Sequence, residues 1–242
     1  NGVVRHADYS NFGGATTWKV GATYEPFDGL LLRSAYSHDL RAPSLYELYL
    51  PSTTNFVSNT FRNTSYTNVR AVSSGNPNLQ GETSRTLTLG ASAAPSFIPG
   101  LRVSVDYYRI EVKGAIGLVG TAIISQACER GAQQFCDQIS FPTPGDQTTA
   151  ITAITDRFVN FSRFFTKGVD VTMNYSRPAL GGTINLRGSA SYVPTFRTIT
   201  PGIAGAADTV REFAGGVGSG NSSAFPVPKS KCTATVTYSD DA

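Results

Sequence analysis

Apolar and small hydroxylated side chains alternate with a period of two along most of this chain, a pattern that suits half-exposed β-strands and not helices. Trp18, Val20, Ala22 and Tyr24 alternate with Thr17, Lys19, Gly21 and Thr23, and the run stops at Glu25-Pro26-Phe27-Asp28-Gly29, which is turn chemistry. A less regular strand follows over Leu30 to Asp39, with Leu30, Leu32 and Tyr36 in one phase and Arg33 in the other. The cycle recurs with Leu87, Leu89, Ala91 and Ala93, then with Leu101, Val103, Val105 and Tyr107. Beyond Tyr108 the apolar phase moves to Ile110 and Val112, which predicts a bulge. Val169 to Tyr175, Ile184 to Tyr192 and Cys232 to Tyr238 complete a set of seven expected strands.

The connections alternate in length. Short turns fall near 25–29, 95–100 and 177–182, and long Gly/Ser/Thr/Asn-rich stretches near 41–82, 114–156 and 195–227. Loops beyond about 12–15 residues are uncommon in compact domains, and long ones on every second connection suit an antiparallel meander with one cramped and one functional end. Tyr24, Tyr175 and Tyr238 each stand just before a short turn or the end of the last strand, while Tyr36, Tyr192 and Phe196 come late in strands that leave one. Two aromatic bands separated by aliphatic and small residues match the two interfaces of a bilayer. About ten residues at ~3.3 Å rise and a tilt near 40° span roughly 25 Å, the height of an outer-membrane apolar band. A soluble β-sandwich shows the same alternation with its apolar face inside. The polar phase here, rich in Thr, Ser, Asn and Gly and poor in charge, favours the membrane wall.

Composition removes other classes. Charged residues are 15% of the chain, against roughly 25% in an average soluble domain. Fourteen Phe, eleven Tyr and one Trp exclude a disordered chain, and 24 Gly with 13 Pro argue against a helical bundle. Twenty basic residues against seventeen acidic ones leave no net field for a nucleic-acid partner. The expectation is an antiparallel transmembrane β-barrel portion, all-β, that belongs to something longer.

The stretch Leu32-Arg33-Ser34-Ala35-Tyr36-Ser37-His38-Asp39-Leu40-Arg41-Ala42-Pro43-Ser44-Leu45-Tyr46-Glu47-Leu48-Tyr49 resembles TonB-dependent receptors of Gram-negative outer membranes, in which a strand ends in a Phe-Arg-Ala-Pro-like segment followed by Glu-Leu-Tyr. Leu40 stands where the family has Phe. Further matching pieces follow in the family's order: Gly75-Asn76-Pro77-Asn78-Leu79 with Glu82-Thr83-Ser84, Val105-Asp106-Tyr107-Tyr108-Arg109-Ile110, the pair Cys128 and Cys136, and Lys167-Gly168-Val169-Asp170. The resemblance implies a barrel of about 22 strands around an N-terminal plug. It also implies uptake of a scarce, large nutrient, such as an iron-siderophore, cobalamin or oligosaccharide, energised through TonB. Residues 1–242 are then expected to be an internal portion of that barrel, with plug and remaining strands outside this chain, in the outer membrane of a Gram-negative cell. The expected partners are outer-membrane lipid, the receptor's own plug and other strands, the TonB complex and an unidentified nutrient. A passive channel, a barrel adhesin or a secreted lectin-like sandwich are the rivals.

Candidate residues follow from that frame. Arg41 at the outer rim can bind an anionic ligand bidentately, or it can tie the following loop to Glu47 or Asp39. Tyr46, Tyr49, Phe56, Phe61 and Tyr66 can stack on a ligand or pack the loop on itself. Lys19, Arg33, Arg102, Asp106, Asp170 and Arg187 share the polar phase and are expected to face the plug, where mixed signs suit scattered ion pairs. Cys128 and Cys136, with seven residues between them and no His nearby, are expected to form a disulfide that stiffens an outer loop, and Cys232 to face lipid. No metal or cofactor is expected, and no catalysis. His38 and Asp39 point to opposite faces of a strand, so they cannot pair as in a triad. The glycine run from Gly215 to Gly220 lacks dinucleotide spacing.

Overall fold

The computed structural model describes residues 1–10, 13–143, 148–179, 181–202, 207–216 and 227–240, with backbone alone for Phe161. Leu180, Gly218, Ser219 and Gly220, which fall in the expected third turn and the glycine run, lie outside the described residues. In chain order the elements are β1 (Gly2–Tyr9), β2 (Gly13–Phe27), β3 (Leu30–Arg41), α1 (Leu45–Tyr49), β4 (Thr53–Phe61), β5 (Thr64–Ser74), β6 (Glu82–Ala93), β7 (Leu101–Leu118), α2 (Thr121–Glu129), α3 (Gln133–Cys136), β8 (Ile139–Ser140), β9 (Ala153–Ala179), β10 (Gly182–Thr200), β11 (Thr209–Glu212) and β12 (Ser230–Asp240). No described helix is long and apolar enough to cross a membrane.

Eight strands make the wall in the antiparallel order β1-β2-β3-β6-β7-β9-β10-β12, and β11 pairs with the upper part of β10. Each period-two run of the sequence is one of these strands. The eighth, β1, went unforeseen because Val3 and Val4 are adjacent and break the alternation. The register puts the apolar phase of every strand on one face: Val20 lies opposite Tyr36, which lies opposite Leu87. On the same face Val105 is opposite Val171, and Val171 opposite Ala190. Among the described residues, no second layer covers that face. Val20 is 53% exposed, Leu89 46% and Val105 42%, as expected of side chains that hydrocarbon covers. Across the wall the backbone groups are paired strand to strand, as a lipid environment requires.

The tyrosines reveal the tilt. Following hydrogen-bonded partners from Tyr24 leads through Leu32, Ala91 and Val105 to Val171, four residues above Tyr175, after four strand steps. From Tyr175 the row runs through Leu186 to Val236, two residues above Tyr238, after two steps. A level aromatic row therefore drops one residue per strand. With ~3.3 Å per residue and ~4.8 Å between strands, that stagger means a tilt of about 35°, the geometry of a closed barrel.

The expected bulge after Tyr108 is corrected by the register. Pairing of β7 with β6 is unbroken from Val103 to Lys113, so Ile110 and Val112 lie on the polar-phase face. The irregularity comes later, between Lys113 and Ile116, at Gly114 with φ 64°.

Where they are described, the first two long connections carry regular structure. They build a cap beyond the wall in which β5 runs parallel to the first residues of β9 and pairs antiparallel with β4. The buried apolar core of the chain sits here, around Phe61, Val69, Ile124, Phe135 and Ile154.

If the apolar face meets lipid, Val171→Arg near mid-wall should lower unfolding free energy by about 2–4 kcal/mol in vesicles. Thr172→Arg on the other face should cost markedly less. Equilibrium urea unfolding of the full-length receptor checks this, and equal costs would contradict the assignment.

Candidate functional site

The outer rim is organised around one guanidinium. Arg41, the last residue of β3, donates through Nε and Nη2 to Glu82 at 2.7 and 2.6 Å, and through Nη1 and Nη2 to Glu47 at 3.1 and 2.9 Å. Both carboxylates are held further. Glu82 accepts from the Ile116 amide at 2.7 Å. Glu47 closes a capping box on α1, accepting from the Ser44 amide at 2.7 Å while its own amide donates to the Ser44 hydroxyl at 3.2 Å. Burial alone would lift the Glu47 carboxyl, but the hydrogen bonds from Arg41 and Ser44 hold it below the usual glutamate value. One side chain thus joins β3, α1, β6 and β7. Of the two roles open to Arg41, tying the loop back is what its contacts show. Asp39 takes no part and accepts from Ser37 at 2.6 Å.

The Gly75-Asn76-Pro77-Asn78-Leu79 segment locks the same helix from the other side. Asn76 donates its amide to the Glu47 carbonyl and its side chain to the Phe158 carbonyl at 2.8 Å. Gly75 passes so close to α1 that a Cβ there would lie 2.5 Å from the Leu48 oxygen, so only glycine fits. Asn160 then clamps Gln80 and Gly114 at 2.8–2.9 Å.

The aromatic candidates divide. Tyr46, Tyr49 and Phe56 are 60–68% exposed on the cap. Phe61 is 1% exposed and part of the core, with Tyr66 packed against that core. Those two rings serve the fold. Cys128 and Cys136 are bonded and join α2 to α3, so the expected loop disulfide lies between two short helices. Cys232 is exposed on the apolar face.

The six polar-phase residues share the inward face. Arg33 is the centre of a network, donating to Asp106 at 2.9 and 2.7 Å, to Ser92 at 3.0 Å and to Ser104 at 2.8 Å. Gly90 lies between the paired residues, and a Cβ there would come within 2.6 Å of the Arg33 Nε. Asp170 accepts from Ser191, and Arg187 donates to Asn174. Lys19 and Arg102 lie in the same phase. His38 stands beside Trp18 on the opposite face from Asp39, so the pair has no triad geometry.

Asp156 is the site residue that the sequence hid. It is 5% exposed and accepts from the Val119 and Gly120 amides at 3.1 and 2.9 Å, seating the start of α2. Burial pushes its carboxyl above the ordinary aspartate value, and the two amide donors offset this only in part. Ser125 donates to Asn59 beneath the same helix.

A tilted, one-layer wall that is apolar on one face, carries ion pairs on the other and is topped by a structured cap defines a portion of a transmembrane β-barrel. A family model described as TonB dependent receptor-like, beta-barrel matches residues 2–242, and the chain belongs to that family. The Vitamin B12 transporter BtuB of Vibrio vulnificus (strain YJ016) is 28% identical over 113 residues, which are 47% of this chain and 14% of that protein. A mutant of the ferric enterobactin receptor PfeA from Pseudomonas aeruginosa superposes with TM-score 0.56 at 16% identity, over 79% of this chain and 24% of that one. The siderophore receptor PirA from Acinetobacter baumannii gives TM-score 0.56 at 17% identity, over 96% and 36%. The chain therefore spans about a seventh of that transporter and a quarter to a third of these receptors, whose likeness speaks to the fold.

Two outcomes follow. Arg41→Gln leaves two largely buried carboxylates unpaired, so local opening around α1 should become easier by about 2 kcal/mol, or roughly 30-fold. Amide exchange at Glu47 and Ile116 reads this, and unchanged exchange would refute the tie. Asp156 has a raised folded-state pKa, so its protonated form stabilises the cap. Cap stability should fall as pH rises from about 3.8 through the raised value, then level off. Asp156→Asn should flatten that slope in hydrogen exchange at Val119 and Gly120.

Proposed function

We propose that this chain is part of the wall and outer mouth of a TonB-energised outer-membrane receptor that imports a scarce, large nutrient through a plugged barrel. The observation that carries this is the family match across residues 2–242 on a wall whose inward face is hydrophilic and internally ion-paired. An inward face of Arg33–Asp106 and hydroxyls offers a plug hydrogen bonds and scattered charges. A passive pore would instead need a single-sign constriction. Lys19, Arg102, Asp170 and Arg187 would meet the plug on the same face.

Capture falls to the cap. Tyr46 and Tyr49, on the helix that carries Glu47, and Phe56 on β4 present exposed rings, and such rings stack on catechols or corrins. A ferric siderophore or a corrinoid is the preferred cargo, because relatives include a ferric enterobactin receptor and a vitamin B12 transporter. The rims that hold these rings would move with the clasp when ligand arrives and the plug rearranges.

Cells producing the full-length receptor should accumulate labelled ferric siderophore or cobalamin, and accumulation should stop when a protonophore collapses the proton-motive force. Uptake that continues unchanged would mark a passive channel.

A further inference from the structure

Nutrient capture makes no use of the outward face just above the apolar band, yet that face is charged. Going up the central strands, Leu87 is followed outward by Arg85 on β6, Tyr107 by Arg109 on β7, and Val169 by Lys167 on β9. Arg109 and Lys167 are direct register partners, and Arg85 is their diagonal neighbour, opposite Glu111. Corrected for the stagger of one residue per strand, the three cations lie at one level, about eight residues or roughly 21 Å above the lower tyrosine row. Trp18 and Tyr192 stand within about two residues of that level, where aromatic side chains mark the hydrocarbon boundary. The cations extend that boundary across β6, β7 and β9, three of the four strands between them.

A second tier rises above. Arg197 and Arg109 both lie over the Phe165 ring, with guanidinium carbons 5.1 and 5.2 Å from its centroid. Lys113 pairs with Glu111 at 3.8 Å and Arg163 with Asp208 at 3.2 Å. Glu212, the register partner of Arg197, is turned to the Phe196 and Ala214 amides, from which it accepts. Among the described residues, Arg85, Arg109, Lys167 and Arg197 form no ion pair, and the Arg197 Nε is buried with no acceptor. Unbalanced cations on an exposed strand face call for anions. Here the anions must sit where hydrocarbon gives way to headgroups, on top of an apolar surface that accepts acyl chains.

We infer that this ledge binds a phosphorylated glycolipid of the outer leaflet, its chains lying on the apolar band and its phosphates between Arg85, Arg109 and Lys167, with Arg197 above. Two tiers spread over four strands match a headgroup with more than one phosphate, since long cationic side chains from neighbouring strands ~4.8 Å apart can converge on each. The site needs only the wall, so it holds whether or not transport is TonB-driven.

The test uses the full-length receptor in detergent with diphosphoryl lipid A as probe. Arg85→Gln, Arg109→Gln and Lys167→Gln together should weaken binding by about 100-fold, about fivefold per cation. The charge-keeping set Arg85→Lys, Arg109→Lys and Lys167→Arg should retain most of it. Fully dephosphorylated lipid A should bind the wild type as weakly as the triple variant binds the probe. Heat-modifiable gel mobility verifies that each barrel is folded, and Arg109→Gln alone replaces the triple variant if that one is not. Unchanged affinity in the neutralised receptor would overturn the proposal. So would equal binding of the phosphate-free lipid, or displacement of the probe by equimolar inorganic phosphate, which would mean a free-anion site.

Discussion

The structure depends on strand-to-strand hydrogen bonding in a sheet with hydrocarbon on one side. In lipid no water relieves an unpaired backbone group, at a cost of several kcal/mol each, so each wall strand must pair along its length with neighbours on either hand. Period two then decides everything else. It sends Val105, Val171 and Val236 outward and Arg33, Asp106 and Asp170 inward. A stagger of one residue per strand turns a flat ladder into a tilted wall. Among the described residues, the packed apolar core lies beyond the wall, in the cap.

How much of this was legible follows from the range of the interactions. The wall strands could be read because lipid makes each one amphipathic on its own, from neighbouring residues alone. β1 escaped because adjacent Val3 and Val4 blur the phase. The misplaced bulge near Tyr108 came from reading Ile110 and Val112 as outward, when apolar residues near the rim also line the inner face. The cap stayed hidden because its sheet joins residues far apart, Arg70 with Ala153 and Ile139 with Ile154.

The site divides in the same way. Glu47 could be named as a partner for Arg41 because it lies only six residues on. Glu82 is 41 residues away and could not be paired with it from sequence. Phe61 and Tyr66 looked like ligand-stacking rings because aromatic residues in a long loop read alike whether they face solvent or a core. Asp156 carried no local signal at all, since its role is to seat a helix whose N-cap, Gly120, lies 36 residues earlier. The resemblance marked these segments without saying why they recur, and the geometry gives a reason: they hold the rim together at the point where a ligand would arrive.

The central claim, that one face of these strands touches lipid, is tested most directly by nitroxide scanning along Val169 to Tyr175 in the full-length receptor reconstituted in bilayers. Collision with dissolved oxygen, which concentrates in hydrocarbon, should alternate with a period of two. It should be high at Val169, Val171, Met173 and Tyr175 and low at Asp170, Thr172 and Asn174. Equal oxygen access on both phases, or high access for a water-soluble nickel complex at Val171, would contradict the account.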